Sequence, residues 1–140
     1  MLSVELGDWA SMALALEAIR REVFIVEQQV PEEMEWDADD ATSVHALALL
    51  DGQPVGCGRL LSDGHIGRMA VCAPHRSRGI GRALLQSLLA EAKRRGMREV
   101  VLHAQMHALR FYEAQGFVAD GPLFDEAGIA HRRMSQALVS

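Results

Sequence analysis

The stretch Arg76-Ser77-Arg78-Gly79-Ile80-Gly81-Arg82 combines closely spaced guanidinium groups with two glycines. Glycine at 79 and 81 lets the backbone turn tightly and lets a ligand approach without meeting a Cβ. A helix follows at once, because Leu84, Leu85, Leu88, Leu89 and Ala92 recur at helical spacing. Its unpaired N–H groups and positive dipole end therefore face the loop, and the expected guest is a phosphate or pyrophosphate. This is not a Walker loop, since Gly81 is followed by Arg82-Ala83 rather than Lys-Ser/Thr. A dinucleotide fingerprint also fails: Leu84 stands where Gly or Ala is required. His103 and Gln105 occupy the next strand tip, where an acidic residue belongs.

Other residues able to do chemistry are scattered. Cys57 and Cys72 are isolated and read as buried free thiols of a reducing compartment. The six histidines form no helical His-x-x-x-His pair with an intervening Glu, so no metal is expected. The run Glu32 to Asp40 is strongly acidic and without periodicity. It reads first as a solvated loop, and more sharply as the lining of an amine-binding cleft. A net charge of −5 argues against a nucleic-acid platform. No apolar run reaches the length of a membrane span. The start of the chain lacks the basic and apolar blocks of a signal peptide, so a cytoplasmic location is expected.

The elements that must position these groups follow from pattern. A chain of 140 residues is expected to form one domain. A short strand over Ser3–Leu6 precedes a helix from Trp9 to about Glu27, N-capped by Asp8. Met12, Leu16, Ile19, Val23 and Val26 line its buried face, with Arg20, Arg21, Glu22 and Glu27 on the others. Val44–Leu50 and Pro54–Leu61 flank Asp51-Gly52, a strong hairpin signal. A third antiparallel strand runs from His65 to Val71, and Pro74 lies just beyond its end. After the Gly79 helix, residues 99–103 should pair parallel to the His65 strand through a right-handed crossover. A short helix over Ala108–Ala114 follows. Strands at Phe117–Ala119 and Ala130–Ala137 close the chain, joined by a loop through Gly121-Pro122 and Asp125 to Gly128.

The order Val71-x-x-Pro74-x-Arg76-x-x-Gly79-x-Gly81-x-x-Leu84-Leu85 resembles the acetyl-CoA-binding motif of the GNAT N-acetyltransferases. Gln105-Met-His-Ala108-Leu-Arg-Phe111-Tyr112, followed by Gly116-Phe117, resembles the family's Asn-x-x-Ala-x-x-x-Tyr and Gly-Phe, with Gln105 replacing the commoner Asn. Arg21-x-x-Phe24-x-x-Glu27-Gln28, Asp40, His45, Gly56-x-Gly58-Arg59 and Gly128-Ile-x-His131 resemble the small bacterial ElaA-like branch. Where that branch often has Ile-Pro-His, this chain has Ile129-Ala130-His131.

The resemblance implies an α+β fold. Its central sheet is mixed and mostly antiparallel, with six to seven strands, three helices and a V-shaped splay between the fourth and fifth strands. It implies acetyl-CoA as co-substrate, a small-molecule or peptide amine as acceptor, and a homodimer. CoA's pyrophosphate would lie on Arg76, Ser77, Arg78, Gly79, Ile80, Gly81 and Arg82. Its pantetheine arm would run beside Met69, Ala70 and Val71, with further contacts from Gln105, Ala108, Phe111 and Tyr112. A bulge near Met69, or Gly64 or Gly67, would open the splay and free the Met69 amide for the thioester oxyanion. Tyr112, the only tyrosine, matches the group that protonates or hydrogen-bonds the departing thiolate. Candidate bases for the acceptor amine are Glu27, the acidic run, His45 and His131. Packing is the expected role for His45, and His65, His75 and His103 read as structural or surface. The competing possibility is a CoA-binding sensor domain without turnover.

Overall fold

Asp51 and Gly52, both with positive φ, turn β2 (Val44–Leu50) back into β3 (Gln53–Leu60) in the computed structural model, which describes residues 1–138. β4 (His65–Val71) continues the antiparallel meander, and β1 (Leu2–Gly7) pairs with β2 along the outer edge. The chain then crosses through α3 (Ile80–Arg94) to β5 (Glu99–Gln105), which runs parallel to β4. After α4 (Leu109–Ala114) come β6 (Val118–Glu126) and β7 (Ile129–Ala137). The seven strands form one sheet in the order β1-β2-β3-β4-β5-β7-β6. The chain thus has the mixed α+β architecture expected of it.

Strand alternation sends Ala46 and Ala48 into one core and Leu47 and Leu49 into another, on opposite faces of the sheet. α3 covers the first face through Leu84, Leu85, Leu88 and Ala92, all fully buried. α1 (Trp9–Arg20), capped by Asp8, covers the second through Leu16 and Ile19. A fully buried leucine contributes roughly 1.5–3 kcal/mol, so these stripes hold both helices in place.

The first helix departs from its predicted form. From Arg21 to Glu27 it is π-helical, with Gln28 N–H donating to the Val23 carbonyl. The wider turn rotates the helix face. Val23 and Phe24 stay buried, while Val26 is exposed rather than inward. Arg20, expected on an outer face, is instead among the most buried side chains of the protein.

Two further expectations are corrected. The segment around Gly121-Pro122 is not a loop but part of β6, an edge strand where proline's missing N–H costs little. The turn is confined to Ala127-Gly128. The acidic run is not a loop either: it forms α2 (Glu32–Glu35) and a 3₁₀ turn at Ala38–Ala41, with Glu35 and Asp40 buried.

Candidate active site

β4 and β5 pair only at His65↔Val101 and Ile66↔Leu102, and beyond Ile66 the two strands part. The cause lies on the other edge of β4. Cys57 faces Ala70 and Arg59 faces Gly67, so Arg68 and Met69 together oppose the single residue Gly58. That is a bulge, and it bends the strand away from its parallel neighbour. Arg68 takes the left-handed conformation there, φ 50°. A Cβ at Gly58 would lie 2.5 Å from Met69 Sδ, so glycine lets the bulged methionine lie close over β3.

The acidic run holds this bulge. Arg68 Nη2 donates to the Glu35 carbonyl at 2.9 Å and to Asp37 at 3.1 Å, and Arg68 Nε lies 3.0 Å from Glu35 Oε2. Arg59 binds Asp37 and Asp40, while Arg20 binds Glu35 and Asp40. Trp9 and Trp36 stand against the Arg20 guanidinium, 5.5 and 5.0 Å from its carbon. Burial alone would raise the Asp40 carboxyl, but Arg20 and Arg59 outweigh it and hold it below its usual range. Burial pushes Glu35 upward, against the pull of Arg68 and Arg20. Glu35 and Asp40 are therefore buried and ion-paired, whereas Glu32, Glu33, Asp37 and Asp39 are exposed. Glu35 and Asp37 anchor Arg68 at the bulge, and Asp40 ties Arg20 to Arg59 behind them.

The gap between β4 and β5 opens into a cavity of about 810 Å³. Met69, Ala70 and Val71 form one wall, and Gln105, Ala108 and Tyr112 another. Tyr112 is buried between Phe111 and Phe117, whose rings meet it edge-on at 5.0 and 5.9 Å. Burial pushes its phenol up to about 12. Gln105 exchanges amide hydrogen bonds with Gln28 at 2.8 and 3.3 Å, a partnership the sequence did not reveal.

In the loop from Arg76 to Arg82, Gly79 caps α3 with φ 80°, and no side chain caps the helix among the described residues. The first intrahelical bond is Ala83 N–H to the Gly79 carbonyl, so the Ile80, Gly81 and Arg82 amides lack helical partners. A Cβ at Gly79 would meet nothing within 4 Å. Ser77, Arg78 and Arg82 are exposed around this end. The Ile80 side chain belongs to the core, so what it offers a ligand is its backbone N–H. Phe111 likewise packs against the core, its ring 3.4 Å from where a Gly81 Cβ would stand.

Glu27 and His131 both line the cavity, but their chemistry differs. Glu27 binds Arg76 through two hydrogen bonds of 2.6 Å, which hold its carboxyl below the usual range. His131 is buried, and its Nδ1 lies 2.7 Å from the Ile129 carbonyl. A carbonyl only accepts, so Nδ1 carries the hydrogen and the Nε2 lone pair is free. His45 serves packing, as expected: buried, it bonds the Asp40 carbonyl, and burial lowers it. His65 and His103 were expected to be structural or surface groups, yet both line the cavity. Among the described residues no three His, Cys, Asp or Glu side chains gather as a metal site.

The sequence profile described as "Acetyltransferase (GNAT) domain" matches residues 10–138. The chain is 37% identical over 120 residues to the uncharacterized N-acetyltransferase YjcF of Bacillus subtilis, covering 83% of this chain and 86% of that one. It is 30% identical over 138 residues to protein ElaA of Escherichia coli, covering 92% and 90%. Its fold superposes on the crystal structure of ElaA with a TM-score of 0.86 at 28% identity, covering 97% and 99%. An acyl-CoA N-acyltransferase from Pseudomonas aeruginosa gives 0.86 at 33% identity, covering 98% of this chain and all of the other. With its splayed parallel pair and matching relatives, the chain belongs to the GNAT acetyltransferase family and to its ElaA-like branch.

Proposed function

We propose that this acetyltransferase moves an acetyl group from acetyl-CoA to an amine by direct attack on the thioester, with His131 as base and Tyr112 as donor to the departing sulfur. The observation carrying this is the slot itself. It is open where β4 leaves β5, and uncapped helix amides stand beyond the cavity wall formed by Val71. The residues fit the donor: open space over Gly79 and three unpartnered amides suit a pyrophosphate. The edge of β4 left open toward β5 beyond Ile66 suits an extended amide-bearing arm.

Acetyl-CoA supplies an activated carbonyl. The acceptor ammonium, whose ordinary pKa is about 10, must first give a proton, and on this reading the His131 Nε2 lone pair, left over by the Nδ1 bond to Ile129, receives it. Glu27 is a poorer base, because its ion pair with Arg76 lowers its affinity for a proton. The freed nitrogen adds to the carbonyl carbon and the oxygen becomes anionic, with the Met69 amide at the bulge as its candidate donor. The C–S bond then breaks and sulfur leaves as thiolate; the second nitrogen proton ends on the thiol. A phenol pushed up to about 12 keeps its proton beside a thiolate whose ordinary value is about 8.5. Tyr112 therefore acts by hydrogen-bonding the sulfur rather than by surrendering its proton.

No cysteine competes as a nucleophile. Both are buried, and burial pushes Cys57 up to about 12 and Cys72 up to about 11, far from thiolate at neutral pH. The test is release of CoA thiol from acetyl-CoA with a panel of primary amines. Amine-dependent release supports the reading, and CoA binding without any amine-dependent release contradicts it.

A further inference from the structure

Glu126 ends β6 beside the turn that leads into β7, and its two carboxylate oxygens face two different imidazoles. Oε1 lies 3.0 Å from His103 Nδ1 on β5, and Oε2 lies 3.6 Å from His131 Nε2 on β7. We propose that Glu126 is a positioning residue for the base: it stabilises the imidazolium that His131 becomes on taking the acceptor's proton, and His103 holds it there. The inference rests on His131 being that base.

The two distances differ for a chemical reason. A carboxylate only accepts, so His103 must donate from Nδ1, and 3.0 Å is a made hydrogen bond. His131 spends its Nδ1 hydrogen on the Ile129 carbonyl, leaving a lone pair at Nε2 toward Glu126. Two lone-pair atoms do not bond, and 3.6 Å is the resting separation. Once Nε2 gains the ammonium proton it becomes an N–H donor, and closing the 3.6 Å gap to Glu126 makes a charge-assisted hydrogen bond. Glu126 remains a carboxylate throughout, and the proton passes to water when the imidazolium returns to neutral.

Phe124 fixes both rings. It is the cross-strand partner of His131 and stacks on it at 5.8 Å, 25° between planes. Its ring meets His103 edge-on at 5.0 Å. The other charged groups around the unit are already engaged. His65 on β4 packs against His103 and pairs with Asp63. Arg133, opposite His103 on β7, is held by Asp120, and Asp125 accepts from Gly128 N–H. None of these supplies a second carboxylate to His131.

The test is an imidazole NMR titration of wild-type protein and Glu126→Gln, with His131→Asn assigning the resonance. The glutamine should lower the His131 titration midpoint by about half a pH unit or more, with His131 still in the Nδ1–H tautomer. His103→Asn should move it in the same direction. An unmoved midpoint in folded Glu126→Gln overturns the proposal, as does a drop in melting temperature without a shift. Amine-dependent CoA release by His131→Asn separates this from the underlying reading. A loss of about 100-fold supports His131 as base whatever Glu126 does, whereas wild-type turnover removes both.

Discussion

The Glu27 carboxylate grips the Arg76 guanidinium with both oxygens, each hydrogen bond 2.6 Å long. Arg76 Nε also donates to the Val71 carbonyl at 2.8 Å, so one arginine joins the π-helical end of the first helix, the end of β4 and the glycine-rich loop before α3. On the proposed mechanism Glu27 is a strut and His131 the base. Glu27→Gln should leave the single-turnover acetyl-transfer rate within about threefold of wild type, with the acidic limb of its pH profile unmoved. Loss of transfer by 100-fold, with CoA affinity intact, would return Glu27 to the chemistry.

Arg20 tests the buried ion network. Arg20→Met leaves Glu35 and Asp40 without the guanidinium that bridges them. Removing one partner from a buried pair costs about 3 kcal/mol or more, roughly 10 °C in Tm. Asp37 and Asp40 are held below their ordinary values despite burial. Their contribution is therefore present above pH ~4 and is lost as pH falls through their folded values. Thermal melts of wild type and variant between pH 7 and pH 3 check both points: a wild type whose Tm is indifferent to acid contradicts them.

Much of this was legible in the sequence because local pattern and tertiary demand agreed. The Gly79 cap, the Leu84–Ala92 stripe and the Asp51-Gly52 turn each stand where spacing put them. The failures lie where distant partners decide. Nothing local says that Arg20 goes inward, since its partners Glu35 and Asp40 lie 15 and 20 residues away. Gly121-Pro122 reads as a turn, and only the edge position of β6 makes it strand. Misplacing that strand hid Glu126, because its relation to His131 and His103 exists only once β5, β7 and β6 are in register. The signal in the sequence was Gly128, a glycine that takes φ 79° at the turn and so fixes the pairing of Glu126 with Ile129.

The phosphate loop can be tested through Gly81. An added Cβ meets only ordinary contacts, Phe111 at 3.4 Å and Val71 at 3.9 Å, so the fold should survive Gly81→Val. The branched side chain crowds the helix N-terminus, and CoA affinity should fall at least tenfold, about 1.4 kcal/mol. Calorimetry showing wild-type CoA affinity in the folded variant would detach the pyrophosphate from this loop.

Tyr112→Phe keeps the ring between Phe111 and Phe117 and removes only the hydroxyl. If the phenol hydrogen-bonds the leaving sulfur, the single-turnover rate drops about 100-fold while the CoA dissociation constant hardly changes. A variant with the wild-type rate would leave Tyr112 a packing residue.

Direct attack is the central claim, and one measurement addresses it without any variant. Enzyme in excess over acetyl-CoA is mixed with an amine acceptor and quenched over time. The acetyl group is then followed on CoA, on the amine and on the protein by mass. The account predicts that CoA loses acetyl at the rate at which the amine gains it, with no acetylated protein at any time and no release when amine is omitted. An acetyl-protein species that forms and decays at the turnover rate would contradict it.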